Sequence, residues 1–183
     1  KKTTVFFIVL VVGGLTGSLS AQADDFVPVT DEMLLDPSPD DWLMFSRTYD
    51  NQRFSPLDQI NLQNVDQLGT AWVRGLRPGV QENIPVVYRG VMYGVNPGAV
   101  VQALDATNGD LIWEYRRRLP DDLREFIRNV GRSRTLAISG ELVFYTAPDG
   151  YVVALDARTG QLGWEAMAQD YKTGIQHTTG PIV

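Results

Sequence analysis

The chain has 183 residues, 44% of them hydrophobic and 21% charged, a composition that excludes disorder and fits an ordinary globular protein. Its formal net charge is −6, which argues against nucleic-acid binding, and it has no cysteine, so no disulfide forms within it.

Lys1-Lys2, the apolar run VFFIVLVV at 5–12 and the small-residue site Ala21-Gln22-Ala23 have the layout of a secretory signal peptide over residues 1–23. The apolar run is shorter than the roughly 20 residues a spanning helix needs. The expected mature product is exported and periplasmic, with no membrane span, and loss of Lys1 and Lys2 would leave it at −8. The chain does not start with Met and stops at Gly180-Pro181-Ile182-Val183 in mid-pattern, so both ends are expected to be cut points. Residues 24–40, acidic and containing Pro28, Pro37 and Pro39, predict an extended lead-in. Within it Thr30-Asp31-Glu32 can cap one helical turn. The stretch 41–68 carries irregularly spaced aromatics (Trp42, Phe45, Tyr49, Phe54) and reads as a clasp holding the N-terminus to a larger body; Asn61 can cap a short turn there.

From residue 84 the sequence predicts strands. Ile84–Tyr88, Val91–Val95, Ala99–Leu104 and Leu111–Tyr115 are separated by turns at Arg89-Gly90, Asn96-Pro97-Gly98 and Asn108-Gly109. Thr135–Ser139, Leu142–Tyr145, Tyr151–Leu155 and Leu162–Ala166 repeat that order, and Pro181-Ile182-Val183 resembles Pro85-Val86-Val87, as if a third copy began there. ALDATNGDLIWE at 103–114 and ALDARTGQLGWE at 154–165 agree at eight of twelve positions with an offset of 51. Four short antiparallel strands per unit at that period are the signature of β-propeller blades, here at about 84–115 and 135–166. A β-sandwich would not repeat the Trp-bearing hairpin. Trp113 and Trp164, at the same place in the fourth strand, are expected to wedge between blades, and Trp72 in the strand-like Thr70–Arg74 suits an earlier or closing blade.

The segment 116–134 between the copies holds seven arginines (116, 117, 118, 124, 128, 132 and 134) against Asp121, Asp122 and Glu125, a local charge of +4. Leu123, Phe126 and Ile127 predict a short helix. Most of these arginines suit a solvated connector, while one or two can face a polyanionic ligand, since guanidinium groups hold carboxylates bidentately. The single His177 has no Cys or His partner that would make a metal motif, and no nucleophile-elbow, zinc-protease, P-loop or dinucleotide motif is present.

Residues 41–68 sharpen this reading. Asp41-Trp42, Arg47, Phe54-Ser55, Ile60-Asn61, Asn64-Val65 and Leu68 fall at the spacings of an N-terminal signature, with Ser46 in place of its usual Gly. In that stretch, and in its Trp-bearing repeats, the chain resembles the PQQ-dependent (quinoprotein) alcohol dehydrogenases. The resemblance covers nearly all of 31–183 but only the first quarter or third of a family member. It implies an all-β, eight-bladed β-propeller of which two blades and the start of a third lie here. It further implies alcohol oxidation by hydride transfer to pyrroloquinoline quinone (PQQ), with Ca²⁺ or a lanthanide as metal and a cytochrome c as electron acceptor. Glu82 matches a Glu that bonds the cofactor edge, and Arg134 an Arg that pairs with a cofactor carboxylate. Thr178, or Thr179 if the alignment slips by one, matches a Thr bonding a carboxylate. Arg128-Asn129 stand where many members have a Cys-Cys disulfide over the quinone. The metal ligands and the catalytic Asp are expected beyond residue 183, so the chain alone is expected to be inactive and poorly stable, with open edge strands. The rival from another class is a non-catalytic propeller scaffold of the cell envelope.

Overall fold

A computed structural model describes residues 26–128, 130 and 134–183; the expected signal peptide, Asn129 and Arg132 lie outside these. Two four-stranded antiparallel sheets follow one another. The first contains β1 (Val86–Tyr88), β2 (Val91–Asn96), β3 (Val100–Asp105) and β4 (Leu111–Arg116), and the second β5 (Ala137–Ser139), β6 (Leu142–Thr146), β7 (Tyr151–Asp156) and β8 (Leu162–Met167). Each is a meander in sequence order, so β1 and β5 are edge strands. Ile84, Pro85, Thr135 and Leu136, expected inside strands, instead precede them: Ile84 and Thr135 form an isolated parallel bridge between the two units.

The recurring ALDA segment explains why both units fold alike. Asp105 accepts from the backbone N–H and hydroxyl of Thr107, and Asp156 accepts from the backbone of Arg158 and Thr159, so each carboxylate closes its own turn. Gly109 and Gly160 supply the left-handed residue, with φ of 78° and 71°. The register slips at Ala103/Leu104 in one sheet and at Ala154/Leu155 in the other. That shared bulge lies within the hairpin that bears the tryptophan, next to the Trp itself.

Trp113 then leaves its own sheet. Its indole N–H donates to the Ala157 carbonyl at 2.9 Å, and its ring covers Gly160 so closely that a Cβ there would lie 2.5 Å away. Trp72 repeats the arrangement one unit earlier, donating to Ala106 at 3.0 Å over Gly109. Trp72 therefore stands to the first sheet as Trp113 stands to the second, although residues 70–74 form no strand here. Trp164 keeps the pairing internal to its sheet, against Phe144, as Trp113 does against Tyr93, but is 45% exposed.

The lead-in is more than extended chain. Val29 pairs with Gly140 of the second unit and Trp42 with Val87 of the first, each through two backbone hydrogen bonds of 2.8 Å. Between them α1 (Asp31–Leu35), capped by Thr30, buries Leu34. Tyr88 donates to the Val27 carbonyl, so the lead-in straps both sheets into one core with Leu43, Val86, Tyr93, Leu136, Ile138 and Tyr145. Of the expected clasp, Trp42–Ser46 pack against the body, whereas Phe54, Ile60, Val65 and Leu68 are exposed. A 3-10 turn covers Val65–Gln67, and Asn61 and Asn64 brace it through their side chains. Ser46 is buried and its hydroxyl accepts from Arg53 Nε at 3.2 Å. The left-handed backbone falls on Arg47 (φ 68°), so the departure from Gly at 46 costs no strain.

Candidate functional site

The chain just before β1, the chain just before β5 and the segment 178–180 lie side by side. Ile84 N–H donates to the Arg134 carbonyl at 2.7 Å, which fixes the first two against each other. Gly180 lies against Thr135 on the other side, where a Cβ would collide with that residue's carbonyl. The first two segments occupy corresponding places in the two units, and each of the three contributes one polar side chain to a shared site. Arg134 Nε donates to Glu82 Oε2 at 2.9 Å, and Arg134 Nη1 reaches Thr178 Oγ1 at 3.4 Å. The side chains of Arg134 and Glu82 are 41% and 28% exposed, so solvent or a solute can reach both.

Glu82, Arg134 and Thr178 are thus brought together from positions up to 96 residues apart in sequence. Thr179 enters through its backbone instead: its carbonyl accepts from the Thr146 hydroxyl at 2.7 Å. His177 precedes them with Nε2 buried and without a hydrogen-bond partner.

The other arginines of 116–134 divide as their surroundings dictate. Arg116 pairs with Glu114. Arg117 is partly buried, donates to Asp149 at 2.9 Å and to Glu165 at 2.5 Å, and lies over the Tyr151 ring at 4.6 Å. Burial pushes its pKa down, but the hydrogen bonds and charges of Glu165 and Asp149 outweigh that and raise it, so it is a permanent cation. Arg118, Arg124 and Arg128 are exposed. Of the described arginines in this segment, Arg134 alone contacts Glu82 and Thr178.

A helical turn, α2 (Leu123–Phe126), buries Leu123, and Asp122 accepts from the Tyr171 hydroxyl at 2.7 Å. That hydrogen bond, with Lys172 alongside, holds the Asp122 carboxyl below the usual range and raises the Tyr171 phenol to about 12. Among the described residues no three His, Cys, Asp or Glu side chains are grouped to hold a metal ion, and no helix is long and apolar enough to cross a membrane.

Sequence reasoning missed the residues behind the site. Gln81 and Asn83 flank Glu82 and both side chains turn onto the first sheet: Gln81 donates to Asn96, and the Asn83 amide lies over Gly94. The available signal was polar Asn96 and Gln102 within otherwise apolar strands.

Residues 42–163 match the family described as "PQQ: Glucose/ethanol/alcohol dehydrogenase, beta-propeller domain". The dehydrogenase subunit of a quinone-type alcohol dehydrogenase from Gluconacetobacter polyoxogenes is 39% identical over 147 residues, covering 79% of this chain and 20% of that protein. Among solved structures, quinohemoprotein alcohol dehydrogenase ADHIIG from Pseudomonas putida HK5 superposes with a TM-score of 0.70 at 40% identity, over 78% of this chain and 21% of that one. A europium-containing methanol dehydrogenase superposes with a TM-score of 0.66 at 32% identity, over 79% of this chain and 26% of that one. The chain thus spans about a fifth of the length of the first of these relatives. On the matched segment, the paired antiparallel sheets and the likeness to solved relatives, the chain belongs to the PQQ-dependent alcohol dehydrogenase family and carries part of its β-propeller domain.

Proposed function

We propose that the chain is the N-terminal part of an exported, periplasmic PQQ-dependent alcohol dehydrogenase, with a signal peptide at 1–23, a lead-in at 24–40 and the first blades of an eight-bladed propeller at 41–183. The observation that carries this reading is the meeting of Glu82, Arg134 and Thr178 from three separate segments. A propeller wall acting only as a scaffold has no need of a half-exposed guanidinium held there by a carboxylate.

The donor set suits a ligand bearing several carboxylates. Arg134 offers a planar fork of N–H groups and Thr178 a hydroxyl, while Glu82 fixes the fork from its Nε side and can accept from an N–H on the ligand edge. These residues bind and orient; when bound, PQQ supplies the quinone that accepts the hydride of an alcohol. The metal, Ca²⁺ or a lanthanide, the proton-abstracting Asp and the docking site for a cytochrome c-type acceptor belong to the remainder of the full-length protein. The superposed europium-containing methanol dehydrogenase supports a lanthanide as one of the two.

The test is titration of the full-length apoprotein with PQQ, read by tryptophan fluorescence, beside PQQ-dependent dye reduction by a series of small alcohols. Arg134→Ala is expected to weaken binding about tenfold or more, the scale of one charge-assisted contact. Unaltered affinity removes Arg134 from the site. Absence of PQQ-dependent alcohol oxidation by the metal-supplemented protein defeats the enzymatic reading.

A further inference from the structure

A line of side chains, buried at Asn96 and Gln102, runs from the neighbour of Glu82 across β2, β3 and β4. Gln81 Nε2 donates to Asn96 Oδ1 at 3.0 Å, Asn96 Nδ2 to Gln102 Oε1 at 2.6 Å, and Gln102 Nε2 to Glu114 Oε2 at 2.7 Å. Glu114 then pairs with Arg116. The pairing register explains the line: Gly94, Gln102 and Glu114 stand directly opposite one another on β2, β3 and β4, and Asn96 is two residues on from Gly94, so all share one face.

Burying two amides in a propeller wall costs stability unless every group is satisfied, and this line satisfies them in one direction. Each amide donates outward and accepts inward, from Gln81 to the carboxylate of Glu114. Behind the stretch that carries Glu82 lies a cavity of about 250 Å³, lined by Gln81, Asn83, Gly94, Asn96 and Gln102 among others. Close packing therefore does not locate this stretch on the sheet, and directed contacts do. Gln81 is held by Asn96 on one side of Glu82. On the other, Asn83 lies over Gly94, where a Cβ would come within 2.6 Å of its Nδ2.

We infer that Asn96, Gln102 and Glu114 are positioning residues: through Gln81 they set the chain segment that aims the Glu82 carboxylate at Arg134. Their role rests on the reading of Glu82 and Arg134 as PQQ-binding residues. They act on the proposed cofactor site through the placement of Glu82.

The experiment uses full-length apoprotein carrying Gln81→Leu or Gln102→Met, each alone and combined with Glu82→Gln, with thermal denaturation as a folding control. Each is expected to raise the PQQ Kd three- to tenfold with Glu82 present and less than twofold with Glu82→Gln, because residues acting through one another are not additive. The exchange Gln102→Glu with Glu114→Gln keeps an acceptor facing Asn96 and a donor between β3 and β4, and is expected to restore the Kd to within twofold. A cofactor-free readout stands beside these. Amide exchange at Ile84, whose N–H is bonded to Arg134, is expected to speed at least fivefold in both single variants. Equal Kd changes in both backgrounds, or no change in Ile84 exchange, overturn the inference. Gln81→Leu alters a side chain at the surface end of the line, so it decides the matter even if Gln102→Met does not fold. If the unaltered protein binds no PQQ while Ile84 exchange responds as stated, the functional reading fails and the positioning role stands.

Discussion

The backbone N–H of Ile84 donates to the carbonyl of Arg134, and that one 2.7 Å bond joins the two sheets at the point where a carboxylate and a guanidinium meet. The bond is parallel in sense and isolated, made between chains that are each about to enter an edge strand. It lets residues 52 positions apart share one site without either having to leave its own unit.

Gly160 and Gly140 offer a controlled comparison. Both have positive φ, but a Cβ at 160 would sit 2.5 Å from the Trp113 ring, whereas at 140 it meets nothing within 4 Å. Gly140→Ala is expected to cost about 1 kcal/mol, the conformational penalty alone. Gly160→Ala should cost about 2–4 kcal/mol and shift Trp113 emission to the red as the ring is displaced. Denaturant titration with fluorescence reads both, and equal losses would mean that the indole is not seated as described.

Arg117 and Asp149 are both nearly inaccessible, with 9% and 5% of their side chains exposed. Arg117→Met leaves the Asp149 carboxylate buried without its principal partner and is expected to cost about 3–5 kcal/mol. Adding Asp149→Leu should recover part of that loss, because the second change removes the stranded charge. Chemical denaturation of the single and double variants checks this; a double variant as unstable as the sum of the singles would refute the pairing.

Acid should destabilise the protein through carboxylates that the fold makes more acidic, Asp105, Asp122 and Asp156 among them. Asp105 is held below the ordinary range by hydrogen bonds from Thr107, and Asp122 by the Tyr171 hydroxyl with Lys172. At Asp156 burial pushes upward, but hydrogen bonds from Arg158 and Thr159 prevail and the pKa is lowered. Each pKa is lower folded than unfolded, where Asp titrates near about 3.9. Their contribution is therefore complete above that value and is lost as pH falls through the folded values. The Tm is expected to drop as pH falls below about 4, and Asp122→Asn should make that drop shallower; a Tm independent of pH there would contradict it.

Ser46→Ala removes the hydroxyl that accepts from Arg53 Nε in a buried position. A loss of about 1–2 kcal/mol is expected, on the scale of a hydrogen bond to a charged donor. Thermal melts of the variant and of Arg53→Gln should show similar losses that do not add.

What was legible in the sequence was what is local. Asp105 with Thr107, and Asp156 with Thr159, close turns within three residues, so both Trp-bearing hairpins could be read from the text alone. The seat of Trp113 on Ala157 was foreshadowed only as a wedge between blades, since nothing within one copy names the receiving carbonyl. Seven arginines of 116–134 looked alike by charge. What separates Arg117 from Arg134 is the approach of Asp149 and Glu165 in one case and Glu82 in the other, 32 to 52 residues away. Only family resemblance singled out Arg134. The strap formed by Val29 and Trp42 was illegible because its hydrogen bonds are made by backbone, which carries no residue-type signal.

The seat occupied by Trp113 also bears on how such a chain can change over generations. Trp72 with Ala106 and Gly109, and Trp113 with Ala157 and Gly160, show that each copy offers a socket to the copy before it and a plug to the copy after. Duplicating or deleting one whole 51-residue copy leaves every plug with a socket, while losing a single hairpin orphans one of each. Selection can therefore add or remove this wall in whole blades but not in strands. Residues such as Glu82 and Arg134, outside the plug and the socket, are free to diverge from copy to copy.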